Sequence, residues 1–167
     1  MAGQDAVICS LGTGLTFKHV TLFSDGAQHL LDAMRKHAVR RIICINGIGA
    51  GDSRDHGGVF YDRVVEPTVL ITIYEDKDRQ EALLRHSDRD WIIVRPAMLT
   101  NDKATGRYRV LLDLTAITVG KIARADVAAF ALQQLTSDEF LHKTPLLTYL
   151  PVAGAVDYGV LRAIGSG

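Results

Sequence analysis

Four stretches of the chain are apolar with no regular alternation: DAVICSL (5–11), RRIICIN (40–46), DWIIVRP (90–96) and PLLTYL (145–150). A strand covered on both faces reads this way, as in a parallel sheet flanked by helices. Between them the apolar positions fall at helical spacing. In FSDGAQHLLDAMRKHAV (23–39), Leu30, Leu31, Met34 and Val39 share a face. Ser24 or Asp25 is placed to cap its first turn, and Arg35, Lys36 and His37 suit the negative end of its dipole. Residues 59–87 predict helix in two parts, with Pro67 interrupting the first, and YEDKDRQEALLRH carries acids early and bases late. RADVAAFALQQL (124–135) predicts another helix, while RYRVLLDL (107–114) and AITVGKI (116–122) predict short strands within an excursion over 99–122. The class is α/β: a parallel sheet with helices on both faces. One domain is expected over 1–150, followed by a loosely held Gly/Ala-rich tail over 151–167.

Composition narrows the partners rather than the fold. The 167 residues are 47% hydrophobic and 23% charged, which is ordinary for one globular domain. Lys+Arg and Asp+Glu balance at 19 each, so no global field draws the chain to nucleic acid or to an anionic membrane. No segment approaches the roughly 20 apolar residues of a membrane helix. The opening MAGQDAVICSLG has neither the basic region nor the apolar length of a secretion signal, so a cytoplasmic setting is expected. Cys9 and Cys44 sit inside apolar runs and are expected as buried free thiols. Asp52, Asp55 and His56 in DSRDHGG have no second ligand cluster to complete a metal site, so no metal is expected.

Two glycine clusters end strands: Gly12 and Gly14 in GTG, and Gly47, Gly49 and Gly51 in GIGAG. A dinucleotide fingerprint needs G-x-G-x-x-G running straight into a helix, and an acidic residue about 20 positions on. GIGAG runs instead into the polar DSRDHGG, and GTG lacks a third glycine. Neither is the fingerprint. Both still lie at the carboxyl ends of parallel strands, where ligands of open α/β sheets bind, although tight turns alone would account for them too.

The segments DAVICSLGTG, RRIICINGIGAGDS, YEDKDRQEALLRHSDRDWIIVRPAMLTNDKATGRYRV and IARADVAAFALQQL, in this order, resemble the atypical short-chain dehydrogenase/reductase superfamily. Within it they are similar to the NAD(P)H-binding, NmrA-like group that includes flavin/biliverdin-type reductases, over about residues 5–150. The resemblance implies a Rossmann-like fold in which DAVICSLG is the fourth strand. GIGAG would then follow the fifth strand. The pyrophosphate-binding loop, which belongs to the first strand, is not in this chain, so the fold is expected to be incomplete at its N-terminal side, with the first βαβ units absent.

The same resemblance implies a cofactor, NADP or NAD, and residues that would border it. Ser10, Leu11, Gly12 and Thr13 would lie against the adenosine side or ribose, and Asn46 and Gly47 near the nicotinamide ribose. Pro96, Ala97, Met98 and Leu99 would border the nicotinamide. The reductase pair of the superfamily is Y-x-x-x-K, but this chain has Ile73 at the tyrosine position and Tyr74-Glu75-Asp76-Lys77 beside it. Lys77 is the candidate ribose contact and Tyr74 the candidate proton donor; alternatively Lys77 is a solvated charge pairing with Glu81. Tyr108 and Arg109 are candidates for the substrate side. Asp126 is expected to anchor the first turn of its own helix, where the family often has a capping Ser in place of Ala123.

The expected function is NAD(P)H-dependent hydride transfer to a small flavin-, quinone- or carbonyl-type acceptor. The alternatives are a non-catalytic NAD(P)-binding redox-sensing module, which the displaced tyrosine permits, or a chain inactive by itself. An exposed sheet edge at DAVICSLG would invite pairing with a second copy, so a homo-oligomer that by itself binds the cofactor weakly or not at all is expected.

Overall fold

The apolar runs form the strands of one sheet. The computed structural model describes residues 1–14, 16, 18–48, 71–113 and 120–149. Over these the elements are β1 (Ala6–Cys9), α1 (Leu22–Lys36), β2 (Arg41–Ile45), α2 (Ile71–Arg85), β3 (Asp90–Pro96), β4 (Met98–Thr100), β5 (Arg109–Leu111), β6 (Lys121–Ala123), α3 (Arg124–Gln133) and β7 (Leu146–Thr148). The main sheet has the order β1-β2-β3-β7-β5. Its first four strands run parallel, and β5 joins β7 antiparallel. A parallel pair, β4 and β6, stands beside it. β4 was not foreseen. The chain breaks only at Ala97 after Pro96 and resumes as a strand, so the proline redirects the backbone rather than stopping it.

Successive residues of each strand serve opposite cores, which explains why the runs show no polar alternation. Cys44, Trp91 and Ile93 face Leu31 and Met34 of α1 and Leu84 of α2. Ile43, Ile92 and Val94 face Val127, Phe130 and Ala131 of α3. Each fully buried Ile or Leu removes enough apolar surface to contribute roughly 1.5–3 kcal/mol.

α1 stops at Lys36, short of the apolar pattern that reaches Val39. The Val39 N–H donates to Met34 O at 3.0 Å and Ala38 N–H to Arg35 O at 3.4 Å, a Schellman ending. It requires the left-handed backbone that Ala38 adopts (φ 55°) without the usual glycine to signal it. Val39 is buried all the same, folded back under the helix. The other end also differs from expectation. Thr21 is the N-cap and makes no side-chain cap bond. The cap comes from α2: Asp76 Oδ2 accepts from Phe23 N at 2.8 Å and Ser24 N at 3.4 Å, and Asp76 Oδ1 from the Ser24 hydroxyl. Asp76 is fully buried.

The remaining expectations divide by position. The first helical part around Pro67, the loop with Asp52, Asp55 and His56, most of AITVG and the tail after Pro151 lie outside the described residues. Among the described residues, no helix is long and apolar enough to cross a membrane.

Candidate functional site

A cavity of about 320 Å³ opens at the carboxyl ends of β2 and β3. Asn46, Gly47 and Ile48 line it from the end of β2, and Tyr74 and Lys77 from α2. Pro96, Ala97, Met98 and Leu99 line it from the crossing between β3 and β4, and Gly120 and Arg124 from the segment around β6. Its position follows from the sheet: parallel strands deliver their C-terminal loops to one edge, where helices cannot cover them.

Three observations describe its chemistry. Lys77 reaches in over aromatic faces, its Nζ 5.4 Å from the ring centroids of both Phe23 and Tyr74 and 3.5 Å from Asn46 O. Burial pushes its ammonium below the usual lysine range, with nearby Cys44 and Glu81 opposing. A Cβ at residue 47 would stand 3.1 Å from Lys77 Nζ, so glycine there lets the amine close on the β2 end. Asn46, 8% exposed, donates its Nδ2 to Glu81 Oε1 at 2.9 Å, and its Oδ1 finds no hydrogen-bond partner among the described residues. A buried acceptor at a cavity wall suits a hydroxyl-bearing ligand.

Behind this wall lies a buried ion pair. Arg95, wholly buried on β3, meets Glu81 of α2 through Nε–Oε1 at 3.0 Å and Nη2–Oε2 at 2.7 Å. Glu81 therefore orients Asn46 and neutralises Arg95 at once. The alternative, Lys77 as a solvated charge pairing with Glu81, is not the arrangement found: Glu81 already has Arg95 and Asn46, with Arg85 at 3.5 Å. Asp126 is also placed differently. It accepts from Thr105 N and Oγ1, Gly106 N and the Tyr149 hydroxyl, and so ties the Thr105–Gly106 turn to β7's end rather than capping α3. Burial raises its pKa, yet these donors together outweigh that and hold it below the usual range. Ala123, the N-cap of α3, supplies no side-chain cap bond.

The candidate residues separate into groups. Asn46, Gly47, Tyr74, Lys77, Pro96, Ala97, Met98 and Leu99 share the cavity. Ser10, Leu11, Gly12 and Thr13 are exposed at the end of β1, on the same sheet edge but outside that cavity. The Leu11 side chain leans on α1 at Gly26, where any Cβ would come within 2.5 Å of it. Tyr108 packs edge-on against Phe130 of α3, with centroids 6.3 Å apart, and Arg109 pairs with Thr148 in the sheet; neither lines the cavity. Ile73, at the tyrosine position of the usual pair, is buried with Val20, Phe23 and Tyr74. Arg124 was not anticipated at the site. It opens α3, where the dipole disfavours a cation, and donates to Asn101 Oδ1 at 2.8 Å. A cation at that dipole-opposed position was the available signal.

Comparison with known proteins bears on the family and the fold. The model of an NAD(P)H-binding family matches residues 1–138. An uncharacterized sugar epimerase, YhfK, of Bacillus subtilis is 27% identical over 136 residues, covering 80% of this chain and 58% of its own length. A putative NAD-dependent epimerase/dehydratase from Bacillus halodurans superposes with a TM-score of 0.69 at 24% identity, over 87% of this chain and 64% of that one. ChuY, an anaerobillin reductase from Escherichia coli O157:H7, does so with a TM-score of 0.69 at 21% identity, over 86% and 63%. The sheet is thus Rossmann-like, and the chain spans about three fifths of the length of the curated relatives it matches.

Proposed function

We propose that this chain, which belongs to the NAD(P)H-binding family, carries the nicotinamide-side half of an NAD(P)H-dependent oxidoreductase site of the atypical short-chain dehydrogenase/reductase type. The observation that carries the reading is the meeting of Lys77 Nζ, the Asn46 amide and the Gly47 backbone at one wall of a cavity whose other wall is the Pro96–Leu99 turn. The unpartnered Asn46 Oδ1 and the close approach allowed by Gly47 fit a ribose. When bound, NAD(P)H supplies a hydride. Lys77 and Asn46 would hold ribose hydroxyls, the Pro96–Leu99 turn would present one flat face, and Arg124 would stand at the acceptor side. Ser10, Leu11, Gly12 and Thr13 would flank the adenosine side along the same edge.

For the acceptor we infer a small flavin-, quinone- or carbonyl-type molecule. Ile73 displaces the usual tyrosine, so chemistry in which solvent provides the proton fits better than chemistry needing a protein acid. Tyr74 is the only phenol on the cavity wall among the described residues and would be the donor if one acts. The displaced tyrosine also favours a second reading, a module that senses the dinucleotide without turning it over. Tyr108 and Arg109 would reach the substrate only through movement of β5. Pairing of the β1 edge with a second copy remains part of the proposal, since Ile8 on that strand is 39% exposed.

The test is calorimetric titration with NADPH and NADH, alongside the mass in solution. The expected dissociation constant lies between about 10 μM and 1 mM, or roughly −7 to −4 kcal/mol. Binding that Lys77→Met leaves unchanged, or no heat at millimolar ligand, would reject the reading. Oxidation of the cofactor by a flavin or quinone then separates the enzyme from the sensor.

A further inference from the structure

Cys9 closes β1 and Cys44 lies within β2, and the two are direct register partners in a parallel ladder. Register partners on neighbouring strands point to the same face. Both side chains are buried in the same apolar cluster beneath Leu31 and Met34 of α1, at 5% and 1% exposure. Neither is in a disulfide. Neighbouring strands run about 4.7–4.9 Å apart, inside the ~4.4–6.8 Å that a disulfide spans between Cα atoms.

We propose that Cys9 and Cys44 are a modification site, a dithiol oxidised reversibly to an intramolecular disulfide by low-molecular-weight disulfides such as oxidised glutathione. Cys9 is the attacking thiol. It ends an edge strand, and Ser10 to Gly14 beyond it are exposed, so peeling of that end is the access route. The neighbouring Cys44 holds the Cys9 thiol down at about 7 against burial, while Cys9 and burial together push Cys44 well up. The Cys9 thiolate attacks one sulfur of the oxidant, forming a mixed disulfide and releasing one thiol. Cys44 then loses its proton and attacks Cys9 sulfur, releasing the second thiol. Two protein thiols are oxidised by two electrons, and one disulfide is reduced to two thiols.

The consequence falls on the sheet's ligand edge. Side chains that stand parallel must lean together to bond, and a bond made under such strain is readily reduced. The lean acts on the residues that follow, Ser10 to Gly14 after Cys9 and Asn46 to Ile48 after Cys44. The site stands whether or not the cavity takes a dinucleotide.

The test treats the reduced full chain with oxidised glutathione, then alkylates it and maps the product by mass spectrometry. The expected product lacks two hydrogens, links Cys9 to Cys44 within one chain, and reverts with dithiothreitol. Cys44→Ser should accumulate a glutathione adduct on Cys9, and Cys9→Ser should form its adduct at least about tenfold more slowly. Should either variant misfold, the transient adduct of the unaltered chain, trapped early, must map to Cys9. Hydrogen exchange over residues 10–14 and 46–48 should rise in the oxidised form. Two thiols that both persist, a bond between separate chains, an adduct found first on Cys44, or unchanged exchange would each overturn the proposal.

Discussion

α1 and α2 are the same length, 15 residues each, and pack against one another on one face of the sheet, yet they are built on opposite plans. α1 buries Phe23, Ala27, Leu31 and Met34, an apolar stripe with charges outside. α2 buries Ile73, Tyr74 and Leu84 but also Asp76, Gln80 and Glu81. The first helix is held by area removed from water. The second is held by named partners: Asp76 by the start of α1, Glu81 by Arg95 and Asn46. A buried polar group stabilises only when it is paired, so α2 can sit in one register and one rotation. That is the requirement on the element that carries Lys77 and Tyr74 to the cavity. α1 is scaffold; α2 aims a site.

Perturbing the two plans should give unlike results. The largest effect is expected from Glu81→Gln, which leaves the Arg95 charge buried without its counter-ion and should cost about 3–5 kcal/mol in urea unfolding. Leu31→Ala in α1 should cost about 3 kcal/mol by the same measurement, a cavity loss that leaves cofactor binding intact. Lys77→Met reverses that profile. Stability should hold or rise, since a half-buried cation is removed, while dinucleotide affinity falls about tenfold, near 1.4 kcal/mol.

The pH dependence of Lys77 sharpens the same contrast. Its folded pKa lies below the 10.5 of an ordinary lysine. Between the two values the unfolded chain binds more protons, so the group's contribution to stability rises with pH across that window. Affinity for the dinucleotide should fall as pH rises through the lowered folded value, because the ammonium is what the ribose meets. Calorimetry and thermal melting across the alkaline range should therefore move in opposite directions, and Lys77→Met should flatten both. The smallest effect is expected at the end of α1, where Ala38→Gly relieves a left-handed residue and should stabilise by about 0.5–1 kcal/mol in thermal melting.

The difference between the helices also marks what was legible in the sequence. The four apolar runs became strands, DWIIVRP over its full span, because a doubly covered strand has an unambiguous composition. α1 showed its stripe plainly. YEDKDRQEALLRH reads only as a helix with acids early and bases late, since one sequence cannot reveal that its acids have partners some 14 to 53 residues away in the chain. Asn46, Gly47 and the Pro96–Leu99 stretch were named through the family resemblance and sit at or just past strand ends, whereas the wall role of Arg124 was not legible, because it depends on where β6 returns the chain. The antiparallel turn of β5 was equally hidden: three residues of pairing leave little pattern. Asp126 looked like a helix anchor because its partners, Thr105, Gly106 and Tyr149, come from outside α3.

The cap on α1 has a consequence for ligands. The start of a helix that follows a strand is a common seat for phosphate, which takes the free N–H groups there. Here Phe23 and Ser24 already donate theirs to Asp76, whose carboxylate stands where such an anion would sit. The protein thus carries its own resident anion at that seat. A phosphorylated ligand lying along this edge is turned away from the α1 terminus, and the charge of its phosphates has to be met elsewhere.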